Sequence, residues 1–271
     1  MATLMQPVGD LLREWRQRRR MSQLDLALEA DISTRHLSFL ETGRSQPSRE
    51  MVLNLAEQLD VPLRERNVLL VAAGFAPVFA ERPLKDPALS AARKAVDLVL
   101  AGHEPYPALA VDRHWTLVAA NAAVGRLISA ADASLLQPPV NVLRLSLHPN
   151  GLAPRIANLA QWRAHVLARL HQQIEISADP VLGELMTELA AYPVSRTERG
   201  SGSPPGAHDY GDVVVPVQFV TDAGLLSFFS TTTVFGTPLD VTLSELAIEA
   251  FFPADAATAA TLRQMPATEA R

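Results

Sequence analysis

Thr34, Arg35, Ser38 and Phe39 lie within one short stretch of the chain and combine hydrogen-bond donors with an aromatic ring. A guanidinium can donate two hydrogen bonds to O6 and N7 of guanine, and a hydroxyl group can bond to several bases. An aromatic ring can contact the methyl group of thymine. If the stretch is a helix, Leu37 faces a core while these four side chains face outward. The pattern therefore predicts a helix that reads bases in the major groove of DNA.

Motifs that would carry catalysis or hold a metal ion are missing from the sequence. It contains no Gly-x-Ser-x-Gly, phosphate-loop, Gly-x-Gly-x-x-Gly or His-Glu-x-x-His pattern. The absence of cysteine excludes a disulfide framework, a thiolate zinc site and a cysteine nucleophile. The histidines are scattered, and the spacing of His165 and His171 does not place them on one helical face. We therefore expect neither enzymatic activity nor a bound metal ion.

Five short helices are predicted in residues 1–75, and they would position the base-reading side chains. Ser22 and Ser33 stand where the N-cap residues of the second and third helices belong, since a serine hydroxyl accepts a hydrogen bond from a free backbone N–H. Gly43 and Gly74 follow the third and fifth helices, where glycine commonly ends a helix. The pattern predicts an all-α DNA-binding domain.

The remainder of the chain mixes strand and helix patterns, which predicts an α+β domain with one antiparallel sheet. A loop rich in serine, glycine and proline is expected at 192–211. Near the end, the pattern predicts a strand at 234–241 and a helix from Ser244. The predicted segments are a linker and connecting helix at 76–105, the α+β domain at 106–253 and a C-terminal tail at 254–271.

The distribution of charge agrees with DNA binding by the N-terminal part alone. The whole chain has a net charge of −5. Residues 1–75 contain ten basic and ten acidic side chains, whereas residues 76–271 contain 14 basic and 19 acidic side chains. The acidic excess in the second part disfavours contact with nucleic acid there. The sequence has no signal-peptide pattern and no apolar run long enough to span a membrane, so a cytoplasmic protein is expected.

Four short blocks of the N-terminal part resemble the lambda-repressor or XRE-type helix-turn-helix. They are Ser22-Gln23, Leu26-Ala27, residues 40–44 (Leu-Glu-Thr-Gly-Arg) and Pro47-Ser48. Asp31 departs from the family pattern, because many members have glycine in this turn. Aspartate tolerates the left-handed backbone conformation better than most residues, so we expect the turn to form.

This resemblance implies roles for individual residues. Gln23 would hold the DNA backbone and orient a base-reading side chain, and Arg16 would pair with Glu41. Glu41 is expected to be structural, because phosphate would repel a carboxylate. The protein would bind a double-stranded operator as a homodimer. The residues predicted to contact DNA are Gln23, Ser33, Thr34, Arg35, His36, Ser38, Phe39 and Arg44.

Blocks throughout the second part resemble the ligand-binding domain of MmyB-like regulators, and the segment 111–123 resembles the opening of a PAS domain. The resemblance implies a transcription regulator whose PAS-like second domain encloses a small apolar effector, such as a fatty acid, with no other cofactor. The blocks that carry the MmyB-like resemblance are residues 102–108 (Gly-His-Glu-Pro-Tyr-Pro-Ala), 141–149, 152–155, 162–165 and 228–231.

An apolar pocket needs a few polar groups that fix the head group of its ligand. A guanidinium would hold a carboxylate through two hydrogen bonds, and Arg144, Arg155 and Arg163 are the candidates. Each of them could instead lie on a solvated helix face. A second function also stays open, in which the domain takes no ligand and only dimerises or docks a protein partner. The residues predicted to contact the ligand are Tyr106, Asn121, Arg144, His148, Arg155, Arg163 and His165.

Overall fold

The computed structural model of the chain describes residues 6–193, 215–236 and 238–264. Most of the loop predicted at 192–211, and the part of the predicted tail beyond residue 264, lie outside these described residues. No helix in the described part of the chain is long and apolar enough to cross a membrane.

The chain forms two compact units, and the second begins before the first is complete. Residues 6–83 and 238–244 belong to the first unit, and residues 84–236 and 245–264 belong to the second. The sequence pattern places 106–253 in one domain, whereas residues 238–244 group with the N-terminal unit.

Five helices form most of the first unit, as the sequence predicts. They are α1 (Val8–Arg18), α2 (Gln23–Glu29), α3 (Thr34–Glu41), α4 (Arg49–Gln58) and α5 (Leu63–Ala72). Ser22, Ser33 and Ser48 cap α2, α3 and α4, because each hydroxyl accepts a hydrogen bond from the backbone N–H three residues further on. These caps fix where the helices begin, and they confirm the predicted starts of α2 and α3.

Two backbone positions of this unit depend on the residue type that occupies them. In the turn between α2 and α3, Asp31 has a φ of +55°, so aspartate adopts the left-handed conformation that the sequence predicts. Where α1 packs against α3, a Cβ atom built on Gly9 would lie 2.4 Å from the carbonyl oxygen of Leu40 and 2.9 Å from that of Glu41. The two helices therefore approach closely because residue 9 has no side chain.

The second unit is an α+β domain with one antiparallel sheet, which confirms the predicted fold class. The remaining elements, in chain order, are α6 (Ser90–Gly102), β1 (Ala108–Val111), β2 (Leu117–Ala120), α7 (Ala122–Ile128), α8 (Val142–Leu147), α9 (Leu159–Ser177), α10 (Pro180–Ala191), β3 (Val217–Thr221), β4 (Gly224–Val234), α11 (Val241–Ser244), β5 (Ala247–Pro253) and α12 (Ala256–Gln264). The strands pair in the order β2-β1-β5-β4-β3, and every neighbouring pair is antiparallel. The element α11 belongs to the first unit.

Each face of the sheet packs against helices, and the strands divide their side chains between the two faces. Ala108 and Ala110 of β1 pack with α6 on one face. Leu109 and Val111 join the larger core on the other face, which includes residues of α7, α8, α9 and α10. This alternation follows from the two-residue period of a strand.

The end of the second unit differs from the sequence prediction. The strand predicted at 234–241 and the helix predicted from Ser244 are both wrong, because β4 ends at Val234 and β5 spans Ala247–Pro253. Alanine, leucine and glutamate near this position favour a helix locally. The observed strand pairs with β1 on one side and with β4 on the other, and this tertiary pairing overrides the local preference.

Residues 238–244 lie between β4 and β5 in the sequence and pack within the first unit. Buried Asp240 accepts a hydrogen bond from Arg82 at 3.1 Å. Val241 is fully buried, and its N–H donates to the carbonyl of Ala80 at 2.8 Å. The hydroxyl of Thr242 donates to the carbonyl of Arg82 at 2.6 Å. Side chains and backbone from late in the sequence thus complete the N-terminal unit.

Replacing Ala178 by glycine is expected to raise the free energy of unfolding of the second unit by about 0.5–1 kcal/mol. Ala178 follows α9 with a φ of +59°, a left-handed conformation that strains any residue with a Cβ atom. The greater freedom of glycine in the unfolded chain offsets part of the gain. Urea unfolding of the full chain measures the change. Ala164→Gly, at an exposed position inside the same helix, is the matched control and should lose about 1 kcal/mol.

Candidate DNA-binding surface and ligand cavity

The α3 helix presents most of the predicted base-reading side chains on its outer surface. Its inner face is closed, because Leu37, Leu40 and Glu41 are buried. Arg35 is exposed, and the other outward residues are partly exposed. Of the eight residues predicted to contact DNA, Thr34, Arg35, His36, Ser38 and Phe39 lie on this helix, Ser33 caps it, Arg44 follows it, and Gln23 begins α2.

Two arginines flank the ring of Phe39. The guanidinium carbon of Arg35 lies 5.3 Å from the ring centroid, and that of Arg44 lies 5.8 Å from it. A guanidinium over an aromatic face is attracted by the negative charge of that face. The ring therefore orients both cations on the surface where the sequence predicts base contacts.

Behind this surface, a buried ion pair ties α1 to α3. Arg16 donates to the two carboxylate oxygens of Glu41, with distances of 2.6 Å from Nε to Oε1 and 3.0 Å from Nη2 to Oε2. The amide of Gln23 donates to Oε2 of Glu41 at 2.8 Å, and Arg13 donates to its backbone carbonyl at 2.7 Å. The predicted pairing of Arg16 with Glu41 is confirmed, and it also fixes Gln23 at the start of α2.

The ion pair keeps both partners charged although both are buried. Burial on its own would raise the pKa of Glu41, but the hydrogen bonds from Arg16 and Gln23, with the charges of Arg16 and Arg13, hold the pKa below its ordinary value. The hydrogen bond to Glu41 in turn raises the pKa of Arg16. The carboxylate therefore stays ionised in the folded protein, and it contributes stability that is lost on acidification below its ordinary pKa.

An apolar cavity of about 100 Å³ lies in the second unit, between the sheet and helices α7, α8 and α9. No group of three or more potential metal ligands is found within the described ranges of the chain. The side chains that line the cavity are apolar except for Ser146, Arg169 and Glu249. The full lining is Pro107, Leu109, Trp115, Leu117, Val124, Leu127, Ile128, Val142, Leu143, Leu145, Ser146, Leu152, Trp162, Val166, Arg169, Val217, Phe219, Glu249 and Phe251.

The three arginines predicted to anchor a ligand bind other parts of the second unit and do not line this cavity. Arg144 donates to both carboxylate oxygens of Glu188 at 2.7 Å. Arg155 donates to the backbone carbonyl of Val220 at 3.2 Å. Arg163 donates to the carbonyl of Ala190 at 2.7 Å, near the C-terminal end of α10.

The four predicted helper residues also lie outside the cavity lining. Asn121 caps α7, accepts a hydrogen bond from the N–H of Ala108, and donates to the carbonyl of Tyr106 at 2.7 Å. His148 contacts Tyr192 edge to face. His165 stacks on Trp162 with ring centroids 5.4 Å apart, and burial, followed by the charge of Arg169, lowers its pKa. The contacts of these seven residues with a ligand remain predictions. Among the seven, only His165 stacks on a lining side chain, that of Trp162.

Two residues that the sequence reading missed, Arg169 and Glu249, supply the charged groups of the cavity wall. They are 80 positions apart in the sequence, so no local motif joins them. One available indication was the helical spacing of Arg169 from Trp162 and Val166, which places the three on one face of α9. Another was the single acidic residue within the apolar run Ile-Glu-Ala-Phe-Phe, since a buried carboxylate needs a partner.

Acid is expected to weaken the second unit as the pH falls from about 4.5 to about 2. The hydrogen bonds from Arg144, and then from Tyr192, lower the pKa of Glu188 from 4.5 to about 2. A carboxyl whose pKa is lowered by folding stabilises the folded state only while it is ionised, so its contribution is present above pH 4.5 and is lost below it. The effect is small, because both side chains of the ion pair are more than one-third exposed.

Urea midpoints of the wild type and of Glu188→Gln, measured from neutral pH down to the acid range, test this expectation. The variant should lose part of the pH dependence. Glu184→Gln, at an exposed position of the same helix, should keep it. Identical acid profiles for wild type and Glu188→Gln would show that the pair does not contribute.

Comparisons with known proteins agree with this architecture. The family model described as "MmyB-like transcription regulator ligand binding domain" matches residues 92–265, more than half of the chain, and a helix-turn-helix model matches residues 12–66. No curated protein matches the sequence. A solved structure described as "Structure of an RNA-binding Light-Oxygen-Voltage Receptor" is 14% identical over 95% of this chain, with a TM-score of 0.26. The match spans 61% of that chain.

Proposed function

Because the chain belongs to the MmyB-like transcription regulators, we propose that a small apolar molecule in the cavity of the second unit controls operator binding by the first unit. The chain combines an XRE-type helix-turn-helix with an MmyB-like ligand-binding domain. The observation that carries the proposal is the cavity, whose walls are apolar except at three side chains. Cavities of this kind, with few polar groups, are typical binding sites for small molecules.

We propose that the protein reads its operator with the outer face of α3. Arg35 offers two donors to a guanine, Thr34 and Ser38 offer hydroxyl groups, and the ring of Phe39 can contact a thymine methyl group. Two copies of the chain would bind two half-sites whose centres are roughly 34–36 Å apart, because proteins of this type usually bind as dimers. The predicted homodimer supplies the second reading helix.

Arg35→Ala is expected to weaken operator binding by roughly 5-fold to 150-fold, because one bidentate contact to a base contributes about 1–3 kcal/mol. A mobility-shift assay on the promoter region beside the protein's own gene measures the change. Arg93→Ala removes the same charge from an exposed position in the second unit and should leave the affinity unchanged. Phe39→Ala should also weaken binding, because it removes the ring that orients Arg35 and Arg44. Unchanged affinity for both Arg35→Ala and Phe39→Ala would refute this assignment.

We propose a binding role for the cavity and no catalytic step. Arg169 and Glu249 form an ion pair with each other, and the hydroxyl of Ser146 accepts a hydrogen bond from the indole N–H of Trp162 at 2.9 Å. Neither a histidine nor a lysine is among the described lining residues, so a general base of that type is lacking beside Ser146. The wall therefore offers orientation and selectivity to a ligand.

A fatty acid is one candidate for the effector, as the family resemblance implies. The support for it is the apolar lining together with the guanidinium of Arg169. That guanidinium is bound by Glu249, so the carboxylate of an acid would compete with Glu249. An uncharged apolar molecule faces no such competition.

Native mass spectrometry after organic extraction of the purified full chain tests for a bound effector. Thermal shifts with octanoate, dodecanoate, 1-octanol and benzamide test binding of added molecules. A co-purifying apolar molecule, or a shift that also alters operator affinity, supports the proposal. Absence of both favours the alternative function, in which the second unit only dimerises or docks a protein partner.

A further inference from the structure

The charged part of the cavity wall is an ion pair in which Glu249 accepts two hydrogen bonds from Arg169. Nη1 of Arg169 lies 3.2 Å from Oε2 of Glu249, and Nη2 lies 2.8 Å from Oε1. The hydroxyl of Thr232 bridges the two, because it donates to Oε1 of Glu249 at 2.8 Å and accepts from Nη2 of Arg169 at 3.1 Å. The guanidinium also lies over the ring of Trp115, 5.0 Å from its centroid.

The carboxylate of the pair is buried, whereas the side chain of Arg169 is 29% exposed. Glu249 lies on β5, the central strand of the sheet, and its side chain is 4% exposed. Arg169 reaches it from α9, and the two residues belong to the lining of one apolar cavity. A charge in such surroundings is stable only with a partner of opposite sign.

One cation and one carboxylate pair in the cavity wall, so their charges balance. An anionic ligand would place a second carboxylate beside the one cation. A cationic ligand would leave two cations beside one carboxylate. Either case buries one uncompensated charge, and burial of an unpaired charge is far more costly than burial of a neutral polar group.

The hydroxyl of Ser146 is a neutral hydrogen-bond donor of the wall that remains available to a ligand. Ser146 accepts a hydrogen bond from Trp162, and its own O–H has no acceptor among the described residues. A ligand with a carbonyl or ether oxygen could accept from this hydroxyl. The wall thus favours a ligand that carries an acceptor.

The size and the rings of the cavity favour a small ring-shaped molecule. Its volume of about 100 Å³ is smaller than the roughly 150 Å³ of an apolar cavity that holds benzene in another protein, so a ligand can be no larger than about one ring. The rings of Trp115, Trp162, Phe219 and Phe251 belong to its walls. Flat faces of this kind suit an aromatic ring better than an extended acyl chain.

We propose that the cavity binds an uncharged aromatic molecule with a hydrogen-bond acceptor for Ser146, and that the Arg169–Glu249 pair rejects anions and cations of the same shape. This inference rests on the proposed function, since it assumes that the cavity is the ligand site. Glu249 then determines specificity. Its carboxylate pairs with Arg169, and the pair excludes the carboxylic acids that an unpaired Arg169 would attract.

Benzamide, benzoate and benzamidine test this inference, because they share one shape and differ in charge. Titration of the full chain in a Trp15→Phe background restricts the fluorescence to Trp115 and Trp162, both in the cavity lining. Benzamide should bind the parent protein at least 10-fold more tightly than either ion, as expected for an unpaired buried charge. Ser146→Ala should weaken benzamide several-fold.

Variants of the pair should reverse the selectivity. Glu249→Gln leaves the charge of Arg169 unpaired, so benzoate should gain at least 10-fold relative to benzamide. Arg169→Gln leaves Glu249 unpaired, so benzamidine should gain instead. Thermal unfolding shows whether each single variant is folded. If one is not, the double variant Arg169→Gln/Glu249→Gln removes both charges, and it should still bind benzamide more tightly than benzoate or benzamidine.

The possible outcomes separate this inference from the proposed function. Tighter binding of benzoate than of benzamide by the parent protein overturns the charge selectivity. Binding of dodecanoate without binding of benzamide overturns the inferred ligand class and leaves the proposed function standing. If benzamide, octanoate, dodecanoate and 1-octanol all fail to bind and no molecule co-purifies, both proposals fail.

Discussion

Replacement of Glu41 by alanine is expected to lower the free energy of unfolding of the first unit by about 3–5 kcal/mol. The carboxylate is fully buried and accepts hydrogen bonds from Arg16 and Gln23. Its removal leaves the guanidinium of Arg16, whose side chain is 11% exposed, without its carboxylate. A domain is stable by only about 5–15 kcal/mol, so this loss should populate the unfolded form of the unit.

Hydrogen exchange followed by mass spectrometry on peptides of α1 and α3 assigns the loss to the first unit. Arg13→Ala is the first control: Arg13 is 38% exposed and lies 3.6 Å from the carboxylate, and its loss removes one hydrogen bond to the backbone carbonyl of Glu41, so it should cost about 1–2 kcal/mol. The double variant Arg16→Met/Glu41→Leu removes both charges and should recover most of the stability. A loss for Glu41→Ala no larger than that for Arg13→Ala would contradict the central role of the ion pair.

Gly9→Ala is expected to destabilise the same unit by about 1–3 kcal/mol or more, although alanine normally favours a helix. The added Cβ atom would lie 2.4 Å from the carbonyl oxygen of Leu40, a distance that real contacts do not show. The carbonyl oxygens of Leu40 and Glu41, the two nearest atoms, belong to the backbone of α3, so a side-chain rotation cannot relieve the clash. The helix that carries the base-reading residues must shift, and operator affinity should fall together with stability.

Gly125→Ala is the matched control, because it makes the same change inside the helix α7. A Cβ atom at residue 125 would meet no heavy atom within 4 Å, so the higher helix propensity of alanine should raise stability by about 0.5–1 kcal/mol. Thermal unfolding of the two full-length variants should therefore shift in opposite directions. The same direction for both would mean that the distance between α1 and α3 does not depend on residue 9.

Features set by neighbouring residues could be predicted from the sequence. Ser22 and Ser33 cap helices as expected, because a cap depends on a hydroxyl and the N–H three positions further on. Asp31 adopts the expected left-handed conformation for the same local reason. Arg16 and Glu41 are distant in the sequence, and their pairing could be predicted only from the family resemblance.

Features set by tertiary pairing could not be predicted in this way. The residues of β5 favour a helix by composition, and their strand exists because β1 and β4 offer backbone groups on both sides. The partners of Arg144 and Arg163 are side chains and carbonyls at the end of α10, which no spacing in the sequence indicates. The Arg169–Glu249 pair of the cavity wall was not predicted for the same reason, because the position of each charge in the wall depends on the other residue.

The passage of residues 238–244 through the first unit has a consequence for how such a regulator can be divided or recombined. A fragment that ends at residue 83 would keep helices α1 to α5, yet it would lose fully buried Val241 and the carboxylate that binds Arg82. If the rest of the chain after residue 83 were exchanged between two regulators, residues 238–244 of the other regulator would pack against α5. A recombined regulator should therefore fold only when residues 238–244 and helices α1 to α5 come from the same protein.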